Sequence, residues 1–175
     1  KDFRLYMLVG GMPQAVVAYI KTNNFTAVDL AKRDIISLYE EDFGKIDESG
    51  RAKAMYDTIP AQLSSNTMRY QISKAIPEER VERIVNILKD MDDSKTVNIA
   101  YHCDDPNVGL ALTKNQECFK MYASDTGLFV TLAFMDNEIT ENVIYEKLLN
   151  DKLSTNLGYV YENVIAQMLR ATGKN

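Results

Sequence analysis

Between Asn23-Asn24 and Asp47-Glu48-Ser49-Gly50, the apolar residues Val28, Ala31, Ile35, Leu38, Tyr39, Phe43 and Ile46 recur at near-helical spacing. This stretch predicts the longest helix of the chain, with Asp34, Glu40 and Glu41 among its polar positions. A helix of that length is stable in water only when one face is buried, so the fold has to be built around it. Ahead of it, Leu5 to Gly11 is a short apolar run closed by Gly10-Gly11. Pro13 then opens a helix to about Lys21, at a position where a missing N–H costs nothing. Behind it, Arg51 to Ser65 reads as a helix that kinks or restarts at Pro60, with Thr58 available as the cap. Residues 1–65 are therefore expected to be helical.

The rhythm changes near Asn66. Met68 to Ser73 is strand-like, and Pro77-Glu78-Glu79 opens a helix whose core stripe is Val81, Ile84, Val85, Leu88 and Met91, with Glu79 and Arg83 paired four residues apart. Asp92-Asp93-Ser94 breaks that helix, and Thr96 to Tyr101 alternates with the period of a half-buried strand. A turn at Asp104-Asp105-Pro106-Asn107 leads to a second strand at Glu117 to Tyr122. Helices followed by strand, loop and strand are the order of a winged helix, expected over residues 66–135. Ser124-Asp125 caps a helix to about Met135. Ile139 to Leu149 forms another, and Leu153-Ser154-Thr155-Asn156 introduces the last, striped by Leu157, Val160, Tyr161, Val164, Ile165, Met168 and Leu169. The fold class expected is mainly α (α+β): a helical bundle, a winged-helix-like module, and C-terminal helices over 136–175.

Composition narrows function more than it defines it. Hydrophobic residues at 46% and charged residues at 26% suit a soluble globular domain, and a net charge of −5 argues against a surface built for a polyanion. Cys103 and Cys118 are too few for a disulfide framework, so a reducing cytoplasm is expected. No apolar run reaches the roughly 18 residues of a membrane span, and no membrane association is expected. The chain begins at Lys1 without Met and stops at Asn175 just after a helical pattern; both ends are expected to be cuts within a longer protein.

The phosphate-binding pattern G-x-x-x-x-G-K-[ST] is absent, as are G-x-G-x-x-G, H-E-x-x-H, G-x-S-x-G and C-x-x-C, so no catalytic, cofactor-binding or metal-binding residue is expected. His102 and Cys103 are neighbours on a strand, where adjacent side chains point to opposite faces, which disfavours a Cys-His dyad. Zinc lacks paired ligand spacings, and Asp104-Asp105-Pro106 reads as a turn rather than a cation loop. Between residues 69 and 122 eight basic side chains face nine acidic ones. Nucleic acid is accordingly not the favoured partner; Arg80, Arg83, Lys89 and Lys95 are the candidate contacts if it binds.

Taken together, Gly10-Gly11-Met12-Pro13, Ile59-Pro60-Ala61-Gln62-Leu63, Asp125-Thr126-Gly127-Leu128 and Glu162-Asn163-Val164-Ile165-Ala166-Gln167 form an ordered composite. In order and spacing it resembles the domain of unknown function that follows the ATP-binding core in many bacterial and archaeal ATPases of the AAA+ superfamily. The resemblance implies an upstream P-loop domain that holds ATP and Mg, with this chain as its non-catalytic neighbour, no cofactor of its own, and its own ATPase domain or another protein as partner. It also implies a continuation into a restriction-endonuclease-like part opened by Glu162, whose acidic strand and lysine this sequence lacks. Two alternatives stay open: a nucleic-acid-binding winged helix and a fragment of a nuclease-like domain. The apolar stripe of the last helix further implies a homo-oligomer, through Val160, Tyr161, Val164, Ile165 and Met168.

Overall fold

The computed structural model describes residues 2–105, 107–135, 142–150 and 158–173. The long helix is α3, Phe25–Ile46, preceded by α1 (Asp2–Val9) and α2 (Pro13–Thr22). Asn23 ends α2 in the left-handed region, and Asn24 starts α3 by accepting the Thr26 N–H at 2.8 Å. At 22 residues α3 is about 33 Å long. Its buried face runs through Val28, Asp29, Lys32, Ile36 and Phe43. That face is rotated from the expected stripe, for Leu38 stands exposed. The apolar run ahead of Gly10 is a helix.

Helices α4 (Arg51–Asp57) and α5 (Ile59–Ser64) restart where Pro60 predicts a break. Thr58 is not their cap: its hydroxyl turns back to the Ala54 and Met55 carbonyls at 3.2 and 3.1 Å. The expected strand at Met68 to Ser73 does not form. Gln62 occupies both backbone groups of Gln71, accepting its N–H at 2.6 Å and donating to its carbonyl at 3.1 Å. Only Tyr70 reaches the sheet, donating its N–H to the Phe119 carbonyl at 2.7 Å, before the chain turns into α6 (Ile72–Ala75).

Helix α7 spans Val81–Asp93 rather than opening at Pro77, because Glu78 sits at φ 64°, outside helical geometry. Ile87 takes the buried place expected of Val85, which is 38% exposed. Strands β1 (Val97–Cys103) and β2 (Lys114–Ala123) pair antiparallel, Val97 opposite Ala123 and Tyr101 opposite Phe119, with an irregularity between Tyr101 and His102. Asp105 accepts the Asn107 N–H at 2.8 Å, the local bond of an Asx turn.

Helix α8 (Thr126–Ala133) is capped by Asp125, which accepts the Leu128 N–H at 2.9 Å. Helices α9 (Asn142–Leu149) and α10 (Gly158–Ala171) complete the described fold. The expected α9 start at Ile139 and the residues Leu153 to Leu157 lie outside the described residues. The stripe of α10 is divided. Val160 and Val164 are buried in this same chain with Asn163 between them, whereas Ile165, Met168 and Leu169 are exposed. The oligomer contact expected of Val160 and Val164 is thus not open, since both are spent on the internal core. Buried apolar residues from Met7 to Val164 form one cluster, shared by the helical first part, the hairpin and α10.

Candidate functional site

Three motifs that lie far apart in sequence meet at one junction. Asp125, besides capping α8, accepts the Gly11 N–H at 2.7 Å. Gly10, at φ 81°, lies against Asp125, so a side chain there would collide with the carboxylate. Gly127 packs its Cα on Gly10 and the Val9 carbonyl. From the other side Asn163 clamps the end of β2, accepting the Ala123 N–H at 3.0 Å and donating to the Ala123 carbonyl at 3.2 Å. Gln167 accepts the Thr126 N–H at 3.0 Å and donates to the Tyr6 hydroxyl at 3.0 Å. The glycines permit close backbone approach, and the amide side chains satisfy backbone groups that would otherwise be orphaned.

Beneath this junction lies a buried polar cluster that sequence reading missed. Lys32 is fully buried and donates to the Leu8 carbonyl at 2.8 Å, the Gly127 carbonyl at 3.2 Å and the Tyr145 hydroxyl at 2.9 Å. Tyr145 donates to Asp29 at 2.8 Å, Thr131 donates to the same carboxylate at 3.1 Å, and Arg33 pairs with its other oxygen at 2.8 Å. Burial lowers the Lys32 ammonium to about 7, against the opposing attraction of Asp29. Burial, then the Asp29 charge, pushes the Tyr145 hydroxyl up. One signal was available: Asp29 and Lys32 fall at helical spacing with Val28, Ile35 and Ile36, on the face that has to be buried.

Arg83 and Lys89 are six residues apart on α7, about 120° around the helix axis. Arg80 precedes the helix and lines a shallow depression together with Glu79, Glu82 and Glu117. Arg83 lies 3.8 Å from Glu79, and Lys95, at φ 62°, donates to the Asp92 carbonyl at 3.3 Å. His102 is exposed beside Asp104 at 3.4 Å. Glu162 is engaged: Lys120 donates to it at 2.6 Å and Tyr122 at 3.0 Å, which ties α10 to β2. Burial, followed by the hydrogen bond to Glu162, raises the Tyr122 hydroxyl. Among the described residues no three His, Cys, Asp or Glu side chains come together as a metal set, and no single helix is long and apolar enough to cross a membrane.

An open groove of about 760 Å3 lies between β1 and α10. Ile165 and Leu169 of α10 form one wall, while Ile99, Ala100 and Tyr101 of β1 line the other side. Arg170 bridges to Asp92 at 3.2 Å near one end, and Lys114 sits over the Tyr101 ring at 3.7 Å near the other. The lining is mostly apolar, with Asn98, Tyr122 and Glu162 adding polar groups between those two ends.

The family model for a domain of unknown function, DUF8612, matches residues 1–139, and the chain belongs to that family. The matched span contains the Gly10-Gly11 and Asp125-Gly127 halves of the junction and both strands. No curated protein and no solved structure matches the chain.

Proposed function

We propose that this chain is a non-catalytic interaction module that works beside an ATP-binding domain of the AAA+ superfamily and contacts a protein through the groove between β1 and α10. The ATPase half of this reading comes from the ordered motifs alone. The interaction half is supported by how those motifs are used: Gly10, Gly11, Asp125, Gly127, Asn163 and Gln167 join elements of the fold to one another and do not line the groove between β1 and α10, which is open. Glu162 acts in the same way, as the acceptor of a Lys120 and Tyr122 clamp.

Two measurements test the ATPase half. Isothermal titration of the chain with Mg-ATP is expected to give no binding heat, and micromolar affinity would overturn the division of labour. Reading the coding sequence upstream of the Lys1 codon is expected to reveal a strand-helix unit with G-x-x-x-x-G-K-[ST]. A start codon directly before Lys1 would refute the ATPase association.

A further inference from the structure

A strand at the edge of a sheet carries N–H and C=O groups that need partners, and the two edges of this hairpin are treated differently. The outer edge of β2 is held by partners at two residues. Asn163 takes both backbone groups of Ala123, at 3.0 and 3.2 Å, and the Tyr70 N–H takes the Phe119 carbonyl at 2.7 Å. Ala123 lies opposite Val97, and Phe119 opposite Tyr101. In an antiparallel ladder, opposed residues that do not bond each other both point their backbone groups outward, and the pattern repeats every second residue. Since Ala123 and Phe119 point away from β1, Val97, Ile99 and Tyr101 point away from β2. Among the described residues the outward backbone groups of Ile99 and Tyr101 have no hydrogen-bond partner.

This open edge runs beside the groove. Ala100 is exposed, and across the groove Ile165 and Leu169 are 55% and 52% exposed, so an added strand would find apolar side chains next to its own. At the far end of β2, Lys114 rests on the Tyr101 ring and forms no ion pair among the described residues. An ammonium in that place complements a carboxylate on whatever lies along β1. A helix laid in the trough would leave the β1 edge unpaired, whereas an extended chain satisfies edge, wall and charge together.

We propose that the outer edge of β1 accepts an extended segment of a partner protein as a third strand, with alternate apolar side chains against Ile165 and Leu169 and an acidic residue at Lys114. The proposal deepens the interaction-module reading and rests on it, but does not depend on the identity of the neighbouring domain. A negative result here therefore leaves the upstream-gene and Mg-ATP tests intact, and the reverse also holds.

The test uses phage-displayed random peptides of about ten residues, roughly the longest common strand length, selected on the immobilised chain. Enriched peptides are expected to alternate apolar and polar residues and to carry Asp or Glu toward one end. Binding of the synthesised peptide, read by fluorescence anisotropy, is expected to weaken about tenfold or more with Ile99→Pro, which deletes an edge N–H. Replacing the peptide's acid by lysine is expected to weaken binding to the native chain and to strengthen it for Lys114→Glu. Peptides N-methylated at alternate amides probe the same contact with the protein unaltered; one alternation is expected to abolish binding and the other to be tolerated. The proposal is overturned if no peptide is enriched, or if both alternations bind equally. Light scattering that finds a dimer dissociated by Ile99→Pro would assign the edge to a second copy and overturn the partner segment.

Discussion

Gly127 has no room for a side chain, because a Cβ there would lie 2.5 Å from the Val9 carbonyl oxygen and 2.6 Å from the Gly10 backbone. All the nearby atoms are main chain, so relief requires α1 and α8 to separate. Gly127→Ala is expected to lower stability by about 3 kcal/mol in urea unfolding. Gly44, whose added Cβ would meet nothing, is the control, and Gly44→Ala is expected to be neutral or slightly stabilising. Lys32 makes a different prediction. Unfolded, it holds its proton to about pH 10.5, and in the fold it gives it up near 7. Across that interval the unfolded chain binds more protons, so the Lys32 contribution to stability is least below pH 7 and rises above it. The stability difference between the native chain and Lys32→Met is therefore expected to shift in favour of the native chain from pH 7 to 9, by at most about 1.4 kcal/mol per pH unit. A difference that stays flat over this range would contradict the burial of a titrating lysine.

At the scale of elements, α10 separates two neighbours with opposite expectations. Asn163 is fully buried and serves both backbone groups of Ala123 as well as the Thr126 hydroxyl, so Asn163→Ala leaves buried donors and acceptors unsatisfied. A loss of about 2–3 kcal/mol is expected by chemical denaturation. Glu162 is part-exposed, with Lys120 able to turn to water, and Glu162→Gln is expected to cost under about 1 kcal/mol. Equal losses would show that the Lys120 and Tyr122 clamp holds α10 as firmly as the Asn163 clamp. The helices themselves were largely legible in the sequence. Asn24, Pro13, Pro60 and Asp125 mark starts through local chemistry that operates within a turn. The misreadings at Met68 to Ser73 and at Pro77 have non-local or rare causes. Gln62 takes the ladder groups of Gln71, and Glu78 adopts a left-handed conformation that a Pro-Glu-Glu pattern does not announce.

For the molecule as a whole, a core that runs unbroken from Met7 to Val164 predicts cooperative unfolding, so tyrosine emission and far-UV circular dichroism are expected to give coincident urea transitions. Two separated transitions would divide the helical first part from the hairpin. Most helix positions and the two strands of the hairpin could be read from the sequence by itself, because periodicity and capping act over a few residues, whereas α6 in place of an expected strand could not. The ordered set of short motifs pointed to a domain of unknown function, which the family match over residues 1–139 bears out; what each motif does was not legible. Folding brought Gly10, Asp125, Asn163 and Gln167 together over sequence separations that no periodicity encodes, and it placed the charged pair Asp29 and Lys32 among apolar neighbours. The division of the α10 stripe into buried Val160 and Val164 and exposed Ile165 and Leu169 was likewise decided in three dimensions. A helix supplies an apolar face by its sequence, but how much of that face meets water depends on what packs beside it.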